Sequence, residues 1–399
     1  MLHSSNRGTV VSRAFLLGVL TVVLAVPAHA SSKLRTALNE YQSVSRELKR
    51  GDYREWIDRL NRLIASDQNA STTDVYTARR VQVALSNGLS EWEESVKYAD
   101  EAVRLASSPE VAFSAGFSAA SAAMYAYYKT PSAAMAERVL KRLTDLQEQV
   151  ERPGGLLERS TEIRNWGPRY VNVLMNRAKF LAERDAHSEA LALYEKSLEL
   201  MSAGRIPAVE PAGPRAREEA MYRAMVCAAR CKDRARSEEL LIQLHRMPDL
   251  ASDMIRYVEE LARTEDPSFG PAYQERMAWW VDRTEPTDPS WALALFELAL
   301  SQGRKNETTR DAVNNWMRLL AAYETRPAPQ GINWPVMRNE CWWQLARAHA
   351  NYGSGVFDLS KARRFADLYI EATKADGAES YSKRMSLEQA ISAADPKSP

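Results

Sequence analysis

Proline and glycine fall in clusters, and between the clusters the chain carries a single period, that of the α-helix. The clusters "ERPGG" at 151–155, "AGRIPAVEPAGP" at 203–214, "DPSFGP" at 266–271, "EPTDP" at 285–289 and "RPAPQGINWP" at 326–335 cannot continue a helix. Proline lacks the N–H and fixes φ, and glycine pays the largest backbone entropy. The segments they separate repeat apolar residues every three or four positions, as in Val139, Leu140, Leu143 and Leu146. They are rich in the strong helix formers Ala, Leu, Glu, Arg and Met, and no stretch shows the two-residue alternation of a half-buried strand. The pattern predicts an all-α chain of consecutive helix hairpins.

The first 30 residues stand apart. Arg7 and Arg13 precede the apolar run 14–26, and Pro27 leads to small residues at Ala28 and Ala30. That order is a secretory signal peptide cut near Ala30, and thirteen apolar residues are too few to cross a bilayer core, which takes about 20. No Cys follows the cut to carry a lipid. The chain is therefore expected to be exported to a bacterial periplasm or beyond, with no membrane insertion after cleavage. Without the leader's two arginines, 51 basic residues face 52 acidic ones. A balance near −1 argues against nucleic acid, which calls for a basic face.

Within the mature chain, "NRAKFLAERDAHSEALALYEKSLEL" at 176–200 reads as two amphipathic helices joined by the turn "ERDAHS". Leu174, Ala178 and Leu181 line the first helix and Ala190, Tyr194 and Ser197 the second. This resembles a tetratricopeptide repeat, which has a small residue at the eighth and twentieth positions and a large aromatic at the twenty-fourth. The first helix lacks the usual Trp and Gly of that family. Matching second helices follow at Trp56, Leu60 and Leu63; at Trp92, Ser95, Ala99 and Ala102; at Ala134, after a helix carrying Ala122 and Tyr125; at Ala312, Trp316 and Leu319; and at Ala362 and Ala366. A weaker match surrounds Ala235, and another is expected between 265 and 283. Anchors 56, 95 and 134 lie 39 residues apart, against about 34 in a strict array. The resemblance implies a right-handed superhelix (α-solenoid) of roughly eight degenerate TPR-like hairpins. The expected organisation is a signal peptide over 1–30, repeats over 31–203, a Pro/Gly-rich connection over 204–214, and repeats with a capping helix over 215–395.

Chemistry-bearing motifs are missing. His187, His245 and His349 have no partner at metal-ligand spacing, and no HExxH, CxxC or glycine-rich phosphate loop is present. Cys227 and Cys231 sit one helical turn apart, poorly placed for a disulfide, and Cys341 is distant; buried small hydrophobes is the first reading and a redox or metal role the second. Adjacent acids such as Glu93-Glu94 and Glu259-Glu260 diverge by about 100° on a helix and read as solvated faces. The expectation is no enzyme, no cofactor and no metal.

Two surfaces remain as binding candidates. On the first helix of the clearest repeat, Asn172, Asn176, Lys179 and Glu183 lie away from the apolar stripe, where they suit a peptide backbone or terminal carboxylate. Ten tryptophans are present. Most are expected to fill space between helices, but in the doublets Trp279-Trp280 and Trp342-Trp343 the two side chains cannot face the same way, so one of each is a possible glycan platform. The leading expectation is an exported scaffold for a protein or peptide partner. The alternatives are a glycan-binding protein of the same architecture and an (α/α)-toroid that cleaves polysaccharide.

Overall fold

The computed structural model describes residues 32–159, 163–202, 215–247, 253–266 and 270–395, and every long element among them is an α-helix. The expected leader and the connection 204–214 lie outside the described residues. The chain divides into two compact units, Met1–Ala220 and Met221–Pro399.

The first unit holds α1 (Lys33–Val44), α2 (Tyr53–Ser66), α3 (Thr72–Leu89), α4 (Trp92–Leu105), α5 (Pro109–Lys129), α6 (Ala133–Glu151), the single turn α7 (Leu156–Arg159), α8 (Ile163–Ala182) and α9 (His187–Ser202). The boundary falls within α10 (Ala216–Arg230). The second unit continues with α11 (Arg234–His245), α12 (Met254–Glu265), α13 (Gly270–Val281), α14 (Pro289–Gln302), α15 (Thr309–Ala322), α16 (Trp334–Ala350), α17 (Leu359–Ala372) and α18 (Ala378–Ala394). Setting aside α7, these are eight hairpins and a last helix.

Local chemistry sets the helix starts. Ser71 and Asp74 form a reciprocal capping box at α3, Ser108 caps α5 with Pro109 in its first turn, and Asp288 caps α14 with Pro289 in the same place. Three of the hairpin turns repeat a single geometry. Ser90, Asp185 and Lys232 adopt left-handed φ of 66°, 59° and 62°. In each case the following N–H reaches back five residues, from Glu91 to Ser86, Ala186 to Leu181 and Asp233 to Ala228, at 2.9–3.0 Å. Five residues after each left-handed residue stands a small, fully buried one: Ser95, Ala190 and Ser237.

That small residue is the fourth of its helix, and the rule extends to Ala136, Ala312 and Ala362. It corrects two expected anchors. Ala134 and Ala235 are exposed, and Ala136 and Ser237 take their places, because α6 begins at Ala133 and α11 at Arg234. The even 39-residue register stops after Ser95. The remaining anchors stand as read, and the hairpin expected between 265 and 283 has α13 as its second helix.

Each unit is a stack of these hairpins. In the first, the single turn α7 aside, every helix packs on the one before it, and the first helices also pack on one another: α1 on α3, α3 on α5, α5 on α8. Second helices show no comparable mutual packing among the described residues. The side of the unit formed by the first helices is therefore its inner, tighter side, as in stacked repeats generally. Arg79 of α3 staples neighbouring hairpins. It donates to Asn61 and Gln82 at 2.8 Å and pairs with Glu101 at 2.5 Å, and buried Gln82 donates to the Ile57 carbonyl at 3.1 Å.

A non-glycine residue in the left-handed region costs about 1 kcal/mol. Lys232→Gly is expected to stabilise the second unit by up to about 1 kcal/mol, offset in part by glycine's entropy in the unfolded chain. Urea unfolding followed by circular dichroism checks this, with the midpoint rising and the slope unchanged.

Candidate functional site

On α8 the apolar residues Trp166, Tyr170, Val173, Leu174 and Ala178 are buried, so the helix shows its other side to the inner face. Asn172, Asn176 and Lys179 are half-buried there, and Glu183 is exposed just beyond the helix end. Neither asparagine side chain makes a hydrogen bond among the described residues.

The neighbouring first helices bring residues to the same face that periodicity did not single out for binding. The ammonium of Lys179 lies 4.6 Å from the ring centre of Tyr128. Tyr125, one turn earlier on α5, stacks on Trp92 at 4.8 Å and 23°. Both tyrosines keep 41% of their surface exposed, a large fraction for an aromatic ring. Toward the other end of these helices, Arg80 of α3 donates to Ser114 Oγ of α5 at 3.5 Å. Burial, and then the nearby charge of Arg80, lower the pKa of Arg169 on α8, while Tyr76 acts in the opposite sense. Arg80 makes no ion pair among the described residues. The inner face thus has a guanidinium end and a tyrosine end. Tyr76, Arg80, Ser114, Tyr125, Tyr128 and Arg169 were missed because the residues that meet here lie up to 93 positions apart, from 76 to 169, and only stacking shows which faces coincide.

The tryptophan doublets in the second unit behave otherwise. Trp280 is 1% exposed, donates its indole N–H to Ser290 Oγ at 3.1 Å and meets the edge of His245 at 4.9 Å. It is a core residue, which overturns its place in a glycan platform. The seam pointed it inward because α13 must pack on α14. Trp279 is half-buried with Arg283 at 4.2 Å and Arg276 at 5.7 Å from its ring. Trp342 and Trp343 are both half-buried, so this doublet is shared between core and surface. Arg338 lies 4.6 Å from Trp342; Arg347 and Lys383 lie 4.5 and 5.1 Å from Trp343. Cations therefore sit against the rings a sugar would use. Trp166, Trp291 and Trp316 are fully buried, as filler between helices.

Beside Trp279, Arg276 is wholly buried. It pairs with Glu238 at 2.6 Å and with Glu265, where Nε donates at 2.6 Å, and so ties α11, α12 and α13 together. Burial raises the pKa of Glu238, but hydrogen bonds from Arg234 and Arg276 outweigh it and leave the carboxyl below its ordinary value. His245 lies 2.5 Å from Asp288, which also accepts from Ser290 Oγ at 2.7 Å. With Asp288 at the start of α14, this contact closes a helix junction.

All three cysteines are thiols. Cys227 and Cys341 are buried, and burial pushes the Cys227 thiol up to about 11 and raises that of Cys341 as well. Cys231 is exposed. Among the described residues no group of His, Cys, Asp and Glu is arranged to hold a metal ion, and no helix is long and apolar enough to cross a membrane. Burial raises Glu297, which accepts from Tyr273 at 3.3 Å. Two shallow depressions, of about 490 Å³ between α1 and α2 and about 610 Å³ on α17, hold none of the candidate residues.

No family model matches the chain, and no curated protein matches it. Among solved structures, it is similar to a chain of the complex described as the structure of Naa15/Naa10 bound to HypK-THB. That chain is 12% identical, with 91% of this chain and 63% of the other covered and a TM-score of 0.26. The chain therefore spans less than two thirds of its length. Similarity this low carries no argument, and the fold rests on the helices described above.

The Arg276 cluster sets a stability test. Breaking a buried ion pair costs about 3–5 kcal/mol, and less where the carboxylates keep some solvent. Arg276→Met is expected to cost about 2–3 kcal/mol by urea unfolding. Because the Glu238 pKa is depressed on folding, its contribution is present above the unfolded carboxylate value of about 4.3 and is lost as pH falls through the folded one. The gap between wild type and variant should therefore narrow below about pH 4.

Proposed function

We propose that the chain is an exported, non-enzymatic scaffold of degenerate tetratricopeptide-like hairpins, and that the inner face of its first unit holds an extended protein segment. The observation that carries this reading is the alignment of half-buried polar and exposed aromatic side chains on successive first helices: Arg80 on α3, Tyr125 and Tyr128 on α5, and Asn172, Asn176 and Lys179 on α8. Such a face offers amide and hydroxyl partners to a peptide backbone and ring surfaces to its side chains. Glu183 lies at its rim. Two asparagine amides with no internal hydrogen bond have donors and acceptors free for a guest main chain. Export is supported by the order Arg7, Arg13, apolar run 14–26, Ala28 and Ala30.

The experiment is site-specific photo-crosslinking in the host. Benzoylphenylalanine is placed at Asn176 on the inner face or at Arg138, exposed on the second helix α6, and adducts are identified by mass spectrometry. The expected result is a defined protein adduct from position 176 only, on a chain whose first residue is Ser31. Sugar adducts alone, or the same adducts from both positions, overturn the scaffold reading. An intact leader on the cell-associated chain overturns export.

A further inference from the structure

Aromatic rings and amides fall at matched levels on the inner face of the first unit. The Lys179 ammonium of α8 meets the Tyr128 ring of α5 at 4.6 Å. Equal steps back along the two helices, to 176 and 172 on one and to 125 and 121 on the other, set Asn176 alongside Tyr125 and Asn172 alongside Ser121. The stretch of α5 from Ser121 to Tyr128 covers about 10.5 Å at 1.5 Å per residue. Tyr125 and Tyr128 keep 41% of their surface exposed, yet both are held: Tyr125 stacks on Trp92 at 4.8 Å, and Tyr128 has Phe180 at 5.8 Å as well as Lys179. Rigid, exposed rings bind flat apolar groups at little entropic cost. The hydroxyls of Tyr125 and Tyr128 and the amides of Asn172 and Asn176 make no hydrogen bond among the described residues.

Charge does not select the guest. Arg80, Arg169 and Lys179 are accompanied along the face by Glu110, one turn before Ser114, and by Glu183. Arg169 and Glu110 are moreover already engaged in interactions of their own. Backbone chemistry is more selective. The N–H and C=O groups of α3, α5 and α8 are bonded within their own helices, so this face cannot extend a ladder as a sheet edge does. A guest main chain meets side chains only, and any N–H it presses against the rings is left unpaired at a cost. Proline has no N–H. Its carbonyls accept from the donors on offer here, the two asparagine amides, the two tyrosine hydroxyls and the Lys179 ammonium. A polyproline II segment has no internal hydrogen bonds to break, and its fixed φ leaves little freedom to lose on binding.

Resting on the reading of this face as a protein-binding surface, we infer that its guest is a proline-rich segment in the polyproline II conformation. Its pyrrolidine rings rest on Tyr125 and Tyr128, and carbonyls of the same turn accept from Asn172 and Asn176. One turn of that helix is three residues at 3.1 Å each, about 9.3 Å, which matches the stretch from the Ser121 level to the Tyr128 level. Aromatic-lined grooves are the general means by which such segments are recognised.

The test uses residues 31–399 and fluorescein-labelled decaproline, read by fluorescence anisotropy at low and high salt. A Gly-Ser peptide of the same length and decaglutamate are the labelled controls, and cellohexaose is the unlabelled competitor. The expected result is binding of decaproline in the micromolar range, at least tenfold weaker binding of both control peptides, and less than a twofold change with salt. Tyr128→Ala and Asn176→Ala should each weaken decaproline binding at least fivefold. Tyr128→Phe, which keeps the ring, should stay within threefold of wild type, and Arg138→Ala, on exposed α6 surface, should change nothing. Unchanged thermal unfolding establishes that the variants are folded. No measurable binding of decaproline, equal binding of the Gly-Ser peptide, or undiminished binding to Tyr128→Ala overturns the inference. Tighter binding of decaglutamate than of decaproline overturns it in favour of charge, and displacement of decaproline by cellohexaose overturns it in favour of a glycan. A protein adduct at position 176 that maps to a segment without proline leaves the scaffold standing while removing this inference. With no adduct at all, the scaffold reading fails and the decaproline titration still decides the inference.

Discussion

The close approach of two helix axes at one small buried residue is the contact on which the architecture depends. Ser95, Ala190 and Ser237 each sit five positions after a left-handed turn residue and have no exposed surface. The turn fixes where the second helix starts, and the small side chain lets it lie against the first. Bulky neighbours such as Tyr194 then fill the flanking space. A hairpin so closed still has an apolar flank that it cannot bury, and this flank must be covered by the next hairpin. Stacking is the consequence of that uncovered surface.

Polar interactions inside the stack act at the junctions. Arg79 in the first unit and Arg276 in the second each tie three consecutive helices together, their own included. The guanidinium suits this place because its five donors spread in a plane and can satisfy several acceptors at once. A buried charge costs desolvation that its partners only just offset, so these clusters contribute more to which helices pair than to net stability. The His245–Asp288 contact and the Trp280–Ser290 bond do the same at the start of α14, where indole, imidazole, hydroxyl and carboxylate meet around one helix end.

The inner face of the first unit inherits its composition from this scheme. Residues on α3, α5 and α8 that do not face the seam are released from packing and vary in chemistry along the stripe. The guanidiniums and the tyrosines lie at opposite ends because the three helices run in the same direction, so that equivalent positions share a level. In the second unit, arginine and lysine side chains lie against Trp279, Trp342 and Trp343, and those rings are engaged in the structure of the unit itself.

The hairpins were legible in the sequence because helix periodicity, caps and Pro/Gly breaks are local. Leu174, Ala178, Ala190 and Tyr194 are placed by spacing alone, and each is buried as its spacing requires. The exact helix start was harder. Ala134 and Ala136 differ only in which of them follows the cap by the right number of residues, and Ser132, not the apolar pattern, decides it. The candidate surface was half legible. Asn172, Asn176 and Lys179 can be assigned to the outward side of α8 from its period, but no period tells that the Lys179 ammonium meets the Tyr128 ring or that Arg80 of α3 reaches Ser114 of α5. The sequence by itself determined the class of fold, the hairpins and the residues that close them, since these depend on contacts within some twenty positions along the chain. Only the tertiary structure decided which outward faces meet, and which member of Trp279-Trp280 is core. Those outcomes depend on how far each hairpin turns against the next, a quantity set by the summed packing of many side chains.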